Sequence, residues 1–343
     1  VTPQRVLLSG AAGFIGSHLA ERLLSRGDRV TGVDNFDPYY AEAEKRENLR
    51  RALSHPRFRL IAVDCADFAG LERALTGEQF DVCVHLAAKA GVRASIMDPL
   101  GFARANVLGT QTILEVARRL GVRRFVFASS SSVYGNARRV PFSEDDPAVE
   151  PISPYAATKR AGELLCRAHH EIHGGAVIAL RFFTVYGPRQ RPDLAIRRFA
   201  TLMLAGEPVP MYGDGSTERD YTWIGDIVAG TMAAIDRTAT THREYAVVNL
   251  GGNRTTSLKA LIDAIAKGLS VEPRIRRLPP QPGDVVRTWA DLSRAERLLG
   301  YQPTTTLASG LPRFLQWLRE RERMGTRPAD AGSSRDAPAR VPV

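Results

Sequence analysis

The run Ser153-Pro154-Tyr155-Ala156-Ala157-Thr158-Lys159 sets a phenol and an ammonium four residues apart. In a helix the two side chains share one face, a single turn from each other. Ser153 is of a type that caps such a helix, and Pro154 suits its first position. An ammonium held that close would lower a phenol from about 10 by roughly 1–3 units, which makes a general base near neutral pH. The same spacing occurs on ordinary exposed helices. Here, however, it uses one of only five lysines, at positions 45, 89, 159, 259 and 267. Ahead of it lies Ser129-Ser130-Ser131-Ser132-Val133-Tyr134-Gly135, straight after the apolar run 125–128. On their own, four serines could be just a polar loop. Beside Tyr155 and Lys159, one of their hydroxyls completes a site for an alcohol and the ketone its oxidation would give.

Oxidising an alcohol needs a hydride acceptor, and the N-terminal segment has the residues to hold one. Gly10-Ala11-Ala12-Gly13-Phe14-Ile15-Gly16 follows an apolar strand-like run and opens an amphipathic stretch. Glycine permits the tight turn and the close backbone approach that a pyrophosphate requires, and the helix start offers free N–H groups. Glycine triplets alone are common. Asp34, eighteen residues after Gly16 at the end of the next strand-like run, sharpens the reading. A carboxylate there accepts from the adenosine ribose hydroxyls and repels a 2′-phosphate, so NAD is expected over NADP. Asp64 ends a third run, where it could reach the adenine amino group or sit in a surface turn.

These residues need a parallel sheet to bring them together, and the pattern supplies one. Short β-rich runs at 6–9, 30–34, 58–63, 82–86, 125–128 and 177–182 alternate with amphipathic stretches; Ile15, Leu19 and Leu23 fall on one helical face. That alternation predicts an α/β fold, a doubly wound parallel sheet of Rossmann type. Beyond Gly187 the pattern loosens, with prolines and glycines up to Gly215. A helix at 226–236 and a strand at 246–250 then return to the first lobe. The expected division is 1–187 with 223–251 for the dinucleotide, and 188–222 with 252–322 for a smaller substrate lobe. A turn-rich connector is expected at 279–283, a last helix near 311–322, and a disordered tail over 323–343.

With 343 residues and 44% apolar side chains the chain can bury a large core. The net charge of +10 is nearly all arginine scattered along the chain, without a dense basic run, so no nucleic-acid partner is expected. There is no run of eighteen apolar residues and no basic-then-apolar leader, so neither a membrane span nor a signal peptide is expected. Three cysteines (65, 83, 166) without a CxxC pair suit a reducing compartment, with the cytoplasm as the expected location. No metal site is read.

Together the glycine motif, Asp34, Ser130 and Tyr155xxxLys159 resemble an extended short-chain dehydrogenase/reductase over roughly residues 5 to 320. Several stretches resemble the UDP-glucuronate 4-epimerases within it: Asp34-Asn-Phe-Asp-Pro-Tyr-Tyr40, His85-Leu-Ala-Ala-Lys-Ala-Gly-Val-Arg93, Ser129 to Gly135, Arg181-Phe-Phe-Thr-Val-Tyr-Gly187 and Arg191-Pro-Asp193. The resemblance implies an NAD site formed by Gly10, Gly13, Phe14, Ile15, Asp34, Asn35, Asp64, Cys65, Leu86, Ala87, Ala88, Lys89, Tyr155 and Lys159. It implies a UDP-sugar site formed by Arg93, Ser130, Ser131, Ser132, Tyr155, Thr184 and Arg191, with Tyr212 near uracil and Arg219 at the diphosphate. Gln281 to Asp284 would close over the nucleotide, and two chains would join as a homodimer through a four-helix bundle. The chain departs from the pattern at Lys89, where a glutamine is usual, at Arg189-Gln190, where an aromatic-glycine pair is usual, and at Gly225, in place of an aspartate.

Relatives that dehydrate the sugar carry an Asp-Glu pair at the positions of Ser131 and Ser132, and those that decarboxylate it keep a glutamate at Ser132. Serine cannot relay those protons, so the expected fate of a 4-keto sugar here is reduction back, an epimerisation. Two alternatives stand beside it: epimerisation of UDP-glucose, and a non-catalytic NAD-binding regulator. The intact Ser130, Tyr155 and Lys159 speak against the regulator.

Overall fold

A computed structural model of the chain describes residues 2–137, 139–279 and 285–325. Among these, the strands are β1 (Arg5–Ser9), β2 (Arg29–Val33), β3 (Phe58–Ile61), β4 (Val82–His85), β5 (Arg124–Ser130), β6 (Gly175–Phe182), β7 (Thr184–Tyr186), β8 (Val209–Tyr212), β9 (Glu218–Trp223), β10 (Arg243–Leu250), β11 (Thr255–Ser257) and β12 (Ile275–Leu278). The helices are α1 (Phe14–Arg26), α2 (Glu42–Leu53), α3 (Phe68–Leu75), α4 (Val92–Met97), α5 (Pro99–Ala103), α6 (Gly109–Arg119), α7 (Pro154–His173), α8 (Ala195–Leu204), α9 (Ile224–Thr240), α10 (Leu258–Leu269), α11 (Ser293–Leu299) and α12 (Leu307–Gly325). A π turn, Arg104–Leu108, joins α5 to α6.

Seven strands form one parallel sheet in the order β10-β6-β5-β4-β1-β2-β3. Side chains alternate across it, and both faces are buried, as a parallel sheet requires. Val6 and Leu8, Val82 and Val84, Val126 and Ala128, and Ile178 and Leu180 enter one core, which α1 and α9 cover. Leu7, Cys83, Phe125 with Phe127, and Val177 with Ala179 enter the opposite core, beneath α3, α6 and α7. The strand order reverses between β1 and β4, and their C-terminal ends open a crevice there.

The smaller lobe holds two small sheets, β11-β9-β7 and β12-β8, with α8, α10 and α12 packed around them. The expected returning helix and strand are α9 and β10, both longer than their sequence runs, and β10 closes the sheet edge against β6. The expected connector lies for the most part outside the described residues, as does the expected tail beyond residue 325. Among the described residues, no helix is long and apolar enough to cross a membrane. No group of three or more His, Cys, Asp or Glu is arranged there to hold a metal ion.

Candidate active site

The crevice at the strand ends is one cavity of about 430 Å³. Every residue that the sequence assigned to the dinucleotide lines it: Gly10, Gly13, Phe14, Ile15, Asp34, Asn35 and Asp64 on one side, and Cys65, Leu86, Ala87, Ala88, Lys89, Tyr155 and Lys159 further along. Ser130, Ser131, Ser132, Thr184 and Arg191 line it as well. Arg93, Tyr212 and Arg219 do not. The Arg93 guanidinium instead lies over the Tyr212 ring, 4.2 Å from its centroid, and Arg219 Nη1 donates to the Glu218 carbonyl at 2.9 Å. Gln281 and Asp284 lie outside the described residues.

The glycine loop has the form of a phosphate cradle. Gly10 has φ +72°, and a Cβ built on it would sit 2.6 Å from the Ala87 amide nitrogen. Only glycine lets β1 turn there against the loop after β4. Helix α1 begins at Gly13 with no side-chain cap, which leaves its first-turn N–H groups open to a ligand. Asp34 is buried; Oδ2 accepts from Ala12 N at 3.0 Å and Oδ1 from Phe36 N at 2.9 Å. Burial pushes its carboxyl up, and those amides and Lys45 oppose the shift. The buried Tyr40 hydroxyl in the same cavity has no hydrogen-bond partner among the described residues, a donor that a ligand oxygen would satisfy. A dinucleotide fits this half. Asp64 also borders it, with its Oδ2 taken by Arg104 at 3.0 Å.

Helix α7 delivers the tyrosine and lysine. Ser153 Oγ accepts from Ala156 N at 3.1 Å, and Pro154 occupies the first turn. The expected electrostatics differ from those observed. Lys159 Nζ turns under the sheet end and donates to the Ala128 carbonyl at 2.8 Å, and burial lowers its ammonium to about 8. The Tyr155 phenol is pushed up by burial, opposed by a hydrogen bond with Ser130 and by the Arg191 guanidinium. Arg191 rather than Lys159 is thus the cation that opposes this rise, and one of the three Lys159 ammonium N–H groups goes to a backbone carbonyl. Ser130 Oγ accepts from Ser132 N at 3.2 Å, which fixes the turn 131–134 beyond β5.

Buried networks hold this frame. Glu163, one turn past Lys159, pairs with Arg181 of β6 at 2.8 and 2.9 Å and accepts from Ser129 Oγ at 2.5 Å. Asn106 in the π turn accepts from Lys89 N at 2.8 Å and donates to Lys89 O and Thr158 Oγ1, both at 2.9 Å. Thr110 gives its proton to Asn106 O at 2.5 Å, so His85 Nε2 donates to Thr110 Oγ1 and Nδ1 accepts from Ser9 Oγ at 2.6 Å. Burial lowers His85 to about 3, so this chain stays neutral. The cavity also takes in Asp37, Tyr39, Tyr40, Lys45, Phe182 and Phe183. Sequence reasoning gave none of these, nor Asn106, a role. The signal for most of them was that Asp34 to Tyr40 and Arg181 to Gly187 are stretches that carry the family resemblance.

Of the sequence departures, only Lys89 borders the cavity. Its Nζ donates to Asp98 at 2.9 Å and lies 3.8 Å from Asp37, so two carboxylates offset the added charge. Arg189 turns away to Glu21 at 2.6 Å. Gln190 is buried, donating to Val185 O at 3.1 Å. Gly225 lies against the Trp223 indole, where a Cβ would sit 2.8 Å from Nε1.

Comparison with known proteins agrees with this geometry. The GDP-mannose 4,6 dehydratase family model matches residues 7–314. A UDP-glucuronate 4-epimerase of Thermodesulfobacterium geofontis is 36% identical over 315 residues, spanning 92% of this chain and 96% of that one. The crystal structure of UDP-glucuronic acid 4-epimerase from Bacillus cereus, in complex with UDP-glucuronic acid and NAD, superposes with a TM-score of 0.86 at 36% identity, covering 92% of this chain and 99% of that one. DesIV, a dTDP-glucose 4,6-dehydratase from Streptomyces venezuelae with NAD bound, superposes with a TM-score of 0.85 at 34% identity, covering 93% and 98%. The chain belongs to the GDP-mannose 4,6-dehydratase family, within the extended short-chain dehydrogenases of epimerase/dehydratase type.

Proposed function

We propose that this chain is an NAD-dependent UDP-glucuronate 4-epimerase, interconverting UDP-glucuronate and UDP-galacturonate. One observation carries the reading within a family that also dehydrates. The carboxylates lining the cavity, among the described residues, are Asp34, Asp37 and Asp64, all following β2 and β3, whereas the turn facing Tyr155 offers only Ser130, Ser131 and Ser132. Eliminating water across C5 and C6 needs an acid–base pair, which the turn lacks, whereas loss of CO2 from the β-keto acid needs only that its carboxylate be free to turn.

NAD, when bound, supplies a hydride acceptor and donor at the sugar C4. Tyr155 takes the 4-hydroxyl proton and returns it after the 4-keto sugar has turned its other face. Ser130 donates to the C4 oxygen in the keto form. Lys159, with an ammonium near 8, holds the ribose side of the cofactor and can exchange a proton at working pH. Arg191, Ser131, Ser132 and Thr184 grip the C5 carboxylate and turn its C–C bond out of line with the ketone π system, so the β-keto acid keeps its CO2. Asp34 selects NAD. Tyr212 serves the uracil and Arg219 the diphosphate, with Gln281 and Asp284 as further partners of the nucleotide. On this reading residues 1–187 and 223–251 serve the cofactor, and 188–222 and 252–322 the sugar nucleotide. Exposed Met97, Leu100, Leu164 and Ile172 support a homodimer joined through neighbouring helices, and three free, buried cysteines suit the cytoplasm.

UDP-glucose 4-epimerisation is the second reading, favoured by the pairing of Arg191 with Asp193, which offsets part of the charge a carboxylate would seek. Supplying purified protein with UDP-glucuronate, UDP-glucose and UDP-xylose in parallel decides between them. We expect UDP-galacturonate from the first without loss of water or CO2, and slower or no turnover of the others. Preferred turnover of UDP-glucose would reverse the assignment.

A further inference from the structure

Arg191 is held by three neighbours, Asp193, Ala90 and Tyr39. Its Nε donates to Asp193 Oδ1 at 2.9 Å and its Nη2 to Asp193 Oδ2 at 2.7 Å. Nη2 also donates to the Ala90 carbonyl at 3.0 Å. The guanidinium carbon lies 5.2 Å from the centroid of the Tyr39 ring, and the Tyr39 hydroxyl donates to Asp193 Oδ2 at 3.3 Å. Gly91 leaves room for this: at φ +130°, a Cβ there would meet Tyr39 Oη at 3.1 Å and Arg191 Nη2 at 3.8 Å. Among the described residues, Nη1 is the one guanidinium nitrogen with no hydrogen-bond partner. The side chain is only 15% exposed, yet it borders the cavity.

We propose that Tyr39, Asp193 and Gly91 are positioning residues that set selectivity for a carboxylated sugar by fixing Nη1 of Arg191 toward it. The proposal rests on the reading of Arg191 as the partner of the C5 carboxylate. A free arginine loses rotamer freedom when it grips a ligand; here that ordering is complete beforehand. Asp193 takes one whole edge of the guanidinium, so the sugar carboxylate meets a single nitrogen rather than a bidentate fork. That contact fixes an orientation without binding so tightly that the keto sugar cannot turn over. A purely structural role would be to pin the loop after Gly187. Its loss would lower stability, or affect every sugar nucleotide alike, and would leave selectivity unchanged.

The test uses the NAD-loaded enzyme as wild type, Arg191→Ala, Asp193→Asn and Tyr39→Phe. For each we would measure kcat and KM for UDP-glucuronate, the Kd of UDP-glucose, released CO2 and the thermal midpoint. Arg191→Ala reads the underlying assignment: it should raise KM for UDP-glucuronate far more than the Kd of UDP-glucose. Asp193→Asn should raise that KM by roughly tenfold and Tyr39→Phe by about two- to threefold, in keeping with a charged and a neutral hydrogen bond. The Kd of UDP-glucose should stay unchanged and CO2 should rise in the same order. Selectivity equal to or better than wild type in both Asp193→Asn and Tyr39→Phe overturns the proposal while leaving Arg191's role intact. An Arg191→Ala that weakens both sugars equally removes that role and the proposal with it. Should Asp193→Asn fail to fold, Tyr39→Phe, which keeps the ring over the guanidinium, decides alone.

Discussion

The two ends of the cavity are built from different materials. At the cofactor end, backbone does the work: the Gly10 turn, the uncapped start of α1 and the amides that hold Asp34. Toward the smaller lobe, long side chains do it: Arg191 on Asp193 at the cavity wall, with Arg93 on Tyr212 beyond its lining. Backbone geometry leaves a positional trace, because only certain residues tolerate it. Paired side chains leave almost none, because many sequences could make the same contact. The first end is set by backbone geometry, whereas the second depends on side-chain pairs such as Arg191 with Asp193.

Substitutions should separate the ends by kind as well as size. The largest effect is expected where they meet: Tyr155→Phe should lose roughly 10²–10⁴-fold in turnover, the usual weight of a general base, while NAD binds as before. Steady-state rates with calorimetry of NAD binding check this, and near wild-type turnover would mean another group is the base. At the smaller-lobe end, Arg191→Ala should cost about ten- to a hundredfold in kcat/KM for UDP-glucuronate, the range of a charge-assisted hydrogen bond. An equal loss with UDP-glucose would show that Arg191 serves a group common to both sugars. At the backbone end, NAD should bind at least roughly tenfold tighter than NADP, because a 2′-phosphate would meet the like charge of Asp34. Equal affinities in titration would show that Lys45, close enough to act on Asp34, offsets its charge.

The smallest effect lies beneath the site. Burial holds the Lys159 ammonium near 8, below its ordinary 10.5, so the folded protein binds this proton less readily than the unfolded chain. Unfolding therefore takes up a proton between about pH 8 and 10.5, and this group's contribution to stability rises with pH across that window. Denaturation of wild type and Lys159→Met at pH 7.5 and 9.5, values chosen to be about the ends of the usable range, should show that extra rise in wild type only. Parallel curves for the two proteins would place the lysine pKa back in its ordinary range.

How much was legible in advance follows the same division. The parallel sheet could be read because alternate residues of β1, β4, β5 and β6 feed opposite cores, which leaves continuous apolar runs. Helix α7 announced itself through Ser153 and Pro154. Spacing put Tyr155 and Lys159 on one face and said nothing of where the ammonium would point. The Ala128 carbonyl, two residues before the end of β5, accepts from it, and that acceptor is invisible to any count of residues. The same limit hid Asn106, whose role depends on a π turn that brings it against Lys89 and Thr158. It hid Tyr39 as well, which matters only because Asp193 arrives from a segment more than a hundred residues away.

The central claim is that hydride leaves and returns at one carbon while the carboxylate is held still. UDP-glucuronate carrying deuterium at C4, given to the NAD-loaded protein without added reductant, tests it directly. The account predicts UDP-galacturonate with the label still at C4 and no CO2 evolved. Label appearing in released NADH, or a pentose nucleotide with CO2, would contradict it.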